Sequence, residues 1–128
     1  MIVVDTSAIV AAMLQEPGYR RIVDAIARAD GCAISALSFV ETTMVLSRTL
    51  SDPKSDLNAY LRDTGILISA LDSDQAKLAQ GAFLTYGKGR HPARLNLGDC
   101  FSYAAAKALN APLLYVGDDF ARTDIRSA

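Results

Sequence analysis

The sequence predicts an α/β fold in which a mainly parallel sheet of four to five strands lies between two layers of helices. Short apolar stretches with strand character alternate along the chain with longer stretches of helical periodicity. The first stretch, Ile2-Val3-Val4, is apolar throughout, which is typical of a parallel strand buried on both faces. Strands joined by helical crossovers run parallel, and the helices then cover both faces of the sheet.

Length and composition are those of a single domain spanning residues 1–128. Hydrophobic residues make up 51% of the chain, and no apolar run approaches the roughly 20 residues of a membrane span, so we expect no membrane partner. The N-terminal stretch lacks the features of a secretion signal, and cytoplasmic residence is therefore expected. Because the net charge is −1, binding of a nucleic acid would need a local basic patch or a bound cation.

Three helices and a second strand are predicted in the first half of the chain, and turn residues separate them. The helices cover residues 8–14, residues 19–30 and residues 37–50, and the strand is Ala33-Ile34-Ser35. The second helix has a predicted buried stripe at helical spacing, formed by Tyr19, Ile22, Val23 and Ile26.

Two more helices flank a third strand. A fourth helix carries Leu57, Tyr60 and Leu61 on one face and leads into Ile66-Leu67-Ile68, which is predicted to be a buried strand. The fifth helix begins at Ser73 or Asp74. Its apolar stripe at helical spacing is formed by Ala76, Ala79, Phe83 and Tyr86.

A basic loop of residues 87–94 interrupts this pattern. A sixth helix follows from Asn96 to about Leu109, and a fourth strand is predicted over residues 113–116 before a turn at residues 117–120. The tail is long enough only for a turn or an edge strand. Cys32 and Cys100 have no metal-binding spacing and are expected to be reduced, structural thiols.

Acidic residues follow several of these elements. Asp5 comes directly after the first strand, Asp99 lies at the start of the sixth helix, and Asp118 and Asp119 follow the last strand. Taken singly, each has an ordinary explanation as a helix cap or a turn residue. In a parallel sheet, however, strand carboxyl ends meet at one edge, where ligands bind. The acids are therefore predicted to converge.

Glu41 is harder to explain as a structural residue. The third helix carries Leu37, Val40, Met44 and Val45 on the side of Glu41, so the carboxylate is predicted on or beside a buried stripe. A buried carboxylate needs a partner, either an arginine such as Arg48 or a metal ion shared with Asp5. Oxygen ligands without paired histidines favour Mg²⁺ or Mn²⁺.

Four stretches in this order resemble motifs of PIN-domain ribonucleases, most closely the VapC-type toxins of bacterial toxin–antitoxin pairs. They are Asp5-Thr6-Ser7-Ala8, Ser38-Phe39-Val40-Glu41, Asn96-Leu97-Gly98-Asp99-Cys100-Phe101-Ser102-Tyr103-Ala104 and Gly117-Asp118-Asp119-Phe120-Ala121-Arg122-Thr123-Asp124-Ile125. The resemblance covers essentially the whole chain and implies a PIN-like three-layer sandwich.

The resemblance also implies an activity, namely a Mg²⁺-dependent endoribonuclease that is the toxin of a type II toxin–antitoxin system. Its catalytic and metal-binding residues would be Asp5, Glu41, Asp99 and a fourth acid. Asp119 is favoured over Asp118 for that place because the family usually keeps an acid directly before Phe. Structured RNA such as tRNA or rRNA as substrate, a cognate antitoxin and a homodimer are further implications of the resemblance.

Other residues are weaker candidates. Lys88, Arg90 and Arg94 of the basic loop are candidate RNA-binding residues, with a solvated loop as the alternative. His91 is expected to be a loop residue or an RNA contact rather than a catalytic group. Thr6 or Ser7 would orient a metal-bound water or, more commonly for residues that open a helix, act as caps.

Two other functions compete with the nuclease. A phosphatase that is phosphorylated on Asp5 would need a second acid two residues later, where this chain has Ser7. A catalytically silent binding module, whose acidic groove accepts a basic segment of a partner, remains as the alternative.

Overall fold

The computed structural model describes residues 1–128. Four short strands alternate with six helices, and their bounds are β1 Ile2–Val4, α1 Thr6–Met13, α2 Tyr19–Arg28, β2 Cys32–Ser35, α3 Ala36–Leu46, α4 Pro53–Thr64, β3 Ile66–Ser69, α5 Ser73–Tyr86, α6 Leu97–Ala108 and β4 Leu113–Leu114. A 3₁₀ turn, Phe120–Arg122, precedes the C-terminal tail. None of the helices combines the length and the apolar character that a bilayer crossing requires.

All four strands are parallel and lie in the order β3-β2-β1-β4. The tail adds one isolated bridge beside β4, where the Leu113 amide donates to the Arg126 carbonyl at 2.8 Å. The predicted sheet of four to five strands is thus confirmed as four strands plus this bridge.

Alternating side chains of β1 define the three layers. Val3 packs into a core with α5, α6 and the tail, while Val4 packs into a second core with α1, α2, α3 and α4. Both valines are fully buried, because each face of the central strand is covered by helices. The predicted α/β/α sandwich is therefore confirmed.

The sheet places a ligand-binding edge beside β1. The chain adds β2 and β3 on one side of β1 and then returns to place β4 on the other. At such a reversal of strand order, the loops after the two neighbouring strands separate and leave a crevice at their carboxyl ends. Asp5 follows β1 at this position, and Tyr115 and Val116 follow β4.

The predicted buried face of α3 was wrong in part, because Leu37 and Val45 are half-buried but the other two residues of the stripe are exposed. Val40 is 55% exposed and Met44 is 64% exposed, whereas the face turned inward carries Ser38, Thr42 and Leu46. The hydroxyls of Ser38 and Thr42 can be buried because each forms hydrogen bonds inside the fold. Counting apolar residues therefore selected the outer face of this helix.

Three other burial predictions also failed in part. β3 is an edge strand, so Leu67 is 68% exposed, and an apolar triplet alone does not distinguish an edge strand from a central one. Val23 of α2 and Phe83 of α5 are exposed as well. The two cysteines are buried and unpaired, as predicted.

Candidate functional site

One crevice at the carboxyl edge of the sheet contains three of the predicted acids. Its volume is about 300 Å³, and Asp5, Glu41 and Asp99 all contribute to its lining. The other lining residues are Thr6, Ser7, Val10, Glu16, Val45, Asn96 and Val116. Acids from α3, from the start of α6 and from the end of β1 are thus brought together although up to 94 positions separate them in sequence.

Asp5 is both a helix cap and a crevice residue. Its carboxylate accepts from the Ser7 amide at 3.0 Å and from the Ser7 hydroxyl at 2.6 Å, both through Oδ2. The Ser7 hydroxyl in turn accepts from the Val116 amide, which connects the start of α1 to the segment after β4. The structural role considered for Asp5 is therefore real, and it coexists with a place in the crevice.

A cluster of buried hydroxyls lies behind Asp5. Ser102 of α6 donates to Asp5 Oδ1 at 2.5 Å, and the Ser102 and Ser38 hydroxyls are 2.9 Å apart. Thr6 and Thr42 both donate to the Ser38 carbonyl. The cluster connects α1, α3 and α6, the three helices that carry or flank the acids.

Sequence reasoning named Thr6 but did not single out Ser38 or Ser102 for the site, although a signal was present. Ser102 lies three residues after Asp99, and Ser38 lies three residues before Glu41. Residues three apart on a helix share a face, so each serine follows from the position of its acid.

Glu41 lies against the start of α6. A Cβ built on Gly98 would be 2.5 Å from both Cδ and Oε1 of Glu41, and closer still to Oε2. The carboxylate therefore occupies the space that any side chain at position 98 would take. Glu41 has no cation partner, because the only ion pairs in the structure are Arg62 with Asp63 and Lys107 with Asp124. The alternative of an arginine partner such as Arg48 is thus not realised.

Asp99 sits in the first turn of α6. It forms a capping box with Asn96, in which each side chain accepts from the backbone amide of the other residue. The pKa of Asp99 is raised to about 7, chiefly by burial and also by the charges of Asp5, Asp119 and Glu41, against the lowering effect of the Asn96 amide. The charges of the other three acids therefore all act on Asp99.

The turn after β4 contributes a charged residue at the rim of the crevice. Asp118 and Asp119 are both exposed, and neither lines the crevice. Of the two, only Asp119 is among the charges that raise the pKa of Asp99. Phe120, next to it, is buried and anchors the turn in the core.

The donor set fits a hydrated hard cation. No three acidic, histidine or cysteine side chains converge closely enough to hold one ion by themselves. Mg²⁺ commonly takes only one or two protein carboxylates and fills its remaining positions with water and substrate phosphate. Unpaired carboxylates around one open crevice, with hydroxyl and amide oxygens beside them, suit that coordination.

The basic loop forms a separate concave surface. Lys88, Arg90 and Arg94 line a pocket of about 530 Å³ that contains no hydrophobic residue. Arg90 Nε donates to the Leu84 carbonyl at 3.1 Å, which holds the loop against the end of α5. His91 accepts from the Ala93 amide through Nδ1 and contacts the Tyr86 ring edge-on. Leu95 follows the loop and connects it to the crevice residue Asn96.

Similarity to known proteins extends over nearly the whole chain. The sequence model of the PIN domain family matches residues 2–126. The chain belongs to the PIN-domain family. Two relatives of this PIN domain are VapC ribonuclease Mb2780c of Mycobacterium bovis and ribonuclease VapC30 of Mycobacterium tuberculosis. The first is 45% identical over 128 residues and covers 98% of both chains; the second is 42% identical over 124 residues and covers 96% of this chain and 95% of the relative.

Solved PIN-domain structures share the fold. The crystal structure of Mycobacterium tuberculosis VapC20, a toxin that cleaves the sarcin–ricin loop, superposes with a TM-score of 0.79 at 18% identity and covers 100% of this chain and 98% of that one. A chain of Rickettsia felis VapBC2, solved bound to a promoter DNA fragment, superposes with a TM-score of 0.77 at 19% identity. The match covers 99% of this chain and 96% of that one. The predicted resemblance to VapC-type PIN domains is therefore confirmed.

Proposed function

We propose that this PIN domain is a VapC-type toxin that cleaves RNA as a Mg²⁺-dependent endoribonuclease, with Mn²⁺ as an alternative ion. One observation carries the proposal: Asp5, Glu41 and Asp99 share a crevice in which none of them has a cation partner. Grouping like charges is costly unless a cation or a proton neutralises them. Relatives named VapC ribonucleases, 38–45% identical over nearly the whole chain, support the same activity.

Each acid has a distinct place in this mechanism. Asp5 and Asp99 would hold the cation, because Asp5 directly follows β1 at the edge of the sheet and Asp99 lies in the first turn of α6. Glu41 and Asp119 would orient water from the α3 side and from the rim. A bound divalent cation supplies the activation of water and the neutralisation of phosphate charge that phosphodiester hydrolysis needs.

Two experiments test this function: chelation of the metal and substitution of Asp5. Cleavage of tRNA or rRNA by the purified chain should stop in EDTA and return with Mg²⁺ or Mn²⁺. Asp5→Asn should lose cleavage at every metal concentration, because the substituted side chain carries no charge for the cation. Asp63→Asn, the same change on an exposed α4 acid, is the control and should retain full activity. Undiminished cleavage in EDTA would refute the metal mechanism.

We propose that Lys88, Arg90 and Arg94 bind the RNA backbone. The loop holds three cations and no acid, and only Leu95 separates it in sequence from the crevice residue Asn96. None of the three forms an ion pair within the protein. Their charges are therefore available to phosphates, and they supply locally the positive potential that the net charge of −1 does not.

Salt dependence tests the loop. In a cleavage-inactive Asp5→Asn background, Lys88→Ala with Arg90→Ala should weaken RNA binding and reduce the slope of log K against log salt by about 1.4, since each phosphate contact on a single strand contributes about 0.7. Lys54→Ala with Lys77→Ala removes the same charge from α4 and α5 and is the control. Equal slopes for the two double variants would remove the loop from the RNA site.

A second candidate function is the binding module. A toxin of this type would pair with a cognate antitoxin, and the unpaired acids of the crevice would suit a basic segment of such a partner. The relation to toxin–antitoxin complexes from Klebsiella pneumoniae and Rickettsia felis supports that pairing through the shared fold. If the wild-type chain bound a partner but never cleaved RNA with either metal, this function would replace the nuclease.

The remaining implications of the family stay predictions. They are the choice of tRNA or rRNA, cytoplasmic residence and the homodimer.

A further inference from the structure

We propose that Ser102 is a positioning residue that, held by Ser38, fixes the Asp5 carboxylate so that it presents one oxygen lone pair to a cation. The inference rests on the proposed metal-dependent function. It concerns two serines behind the acids, neither of which lines the crevice.

The hydrogen bonds of Asp5 leave it little freedom. An ionised carboxylate has about four lone-pair directions on its two oxygens. The amide and the hydroxyl of Ser7 occupy both directions of Oδ2, and Ser102 occupies one direction of Oδ1. Only one direction, on Oδ1, remains for a ligand. Asp5 is therefore built to bind through a single oxygen, and Ser102 shares that oxygen.

The two serines form a chain with a defined direction. A hydroxyl has one proton, and Ser102 gives it to Asp5 at 2.5 Å. At the 2.9 Å contact between the serines, Ser102 must then accept, and Ser38 must donate. A hydroxyl that accepts one hydrogen bond becomes a better donor in the next. Ser38 thus strengthens the bond by which Ser102 holds Asp5.

Burial makes this chain rigid. Ser38 and Ser102 are fully buried and Asp5 is only 4% exposed, so water cannot replace any of the three partners. The Ser38 carbonyl is itself held by Thr6 and Thr42. Ser102 caps no helix and satisfies no backbone group, since its hydroxyl bonds only Asp5 and Ser38. Its structural contribution is therefore the position of the carboxylate.

Titration of the metal-free chain with Mn²⁺, followed by electron paramagnetic resonance without RNA, tests the inference. Loss of a residue that orients a metal ligand typically costs 10- to 100-fold in affinity. Ser102→Ala should therefore bind Mn²⁺ about tenfold more weakly. Ser102→Cys, a weak donor of similar size, should be intermediate, and Ser38→Ala should show a smaller loss. Thr43→Val is the control, because it removes a half-buried hydroxyl of α3 that bonds only the Phe39 carbonyl of its own helix.

The outcomes separate this inference from the proposed function. If the wild-type chain binds Mn²⁺ and Ser102→Ala binds it within twofold of wild type, the positioning role is wrong while the metal mechanism stands. If Thr43→Val weakens Mn²⁺ binding as much as Ser102→Ala, the effect is a general loosening of the fold and the positioning role is again refuted. If the wild-type chain binds no Mn²⁺, both proposals fail. If Ser102→Ala does not fold, the Mn²⁺ affinities of Ser102→Cys and Ser38→Ala test the positioning role in its place.

Discussion

Gly98→Ala is expected to lower RNA cleavage about 100-fold while leaving the protein folded and equally or more stable. The added methyl would occupy the space of the Glu41 carboxylate, which must then move. A displacement of about 1 Å in a catalytic group can cost 100-fold in rate. Because the displaced atoms are the end of a flexible side chain, and because alanine favours a helix more than glycine by up to about 1 kcal/mol, the fold should not suffer.

Gly81→Ala provides a matched control for this prediction. Gly81 lies within α5, and a Cβ there would meet nothing within 4 Å. That variant should gain a similar stability in urea denaturation and keep wild-type cleavage. In a Glu41→Ala background, Gly98→Ala should cause no further loss of rate, since it acts through Glu41. An additive loss in the double variant would contradict the explanation.

Asp99→Asn is expected to stabilise the metal-free protein at pH 8 by roughly 1 to 2 kcal/mol and to abolish cleavage. Burial and the neighbouring acids raise the pKa of Asp99 from 3.8 to about 7. The folded state therefore binds this proton more tightly than the unfolded state. Stability falls as pH rises from about 4, and the whole cost is present above pH 7. The expected gain is smaller than the full pKa shift would give, because Asp99 is not fully buried and solvent screens its charge.

Urea denaturation in EDTA at pH 5 and pH 8 measures this effect. The stability advantage of Asp99→Asn over wild type should be larger at pH 8 than at pH 5, because the asparagine carries no charge at either pH. Asp118→Asn, an exposed acid that does not act on the pKa of Asp99, should stay within about 0.5 kcal/mol of wild type at both values. Equal advantages at the two pH values would show that the charge of Asp99 is not costly.

Both predictions express the same property of the crevice. Its acids line one crevice without a cation partner, and Asp99 is held where its charge is unfavourable without a cation. Binding of a divalent ion would offset that cost, so Mn²⁺ should raise the stability of wild type more than that of Asp99→Asn. A site of this kind sacrifices stability of the metal-free fold for function.

Sequence reasoning worked where the signal was local. Asp5 follows an apolar strand, and Asp99 follows an asparagine cap, so both positions could be inferred from neighbouring residues. The argument for Glu41 reached the crevice through a premise that was only partly correct. Val40 and Met44, which were to bury that side of α3, face solvent, and the inward face carries hydroxyls instead. Apolar periodicity could not reveal a helix that packs through polar groups.

By itself, the sequence determined the parallel α/β sandwich and the acids at its carboxyl edge, because strand and helix patterns and their ends depend on residues close together in the chain. Only the tertiary structure decided how those acids are held. The bond from Ser102 to Asp5 joins residues 97 positions apart, and the contact of Glu41 with Gly98 joins two helices. Contacts of this kind depend on the packing of α1, α3 and α6, which local patterns do not encode.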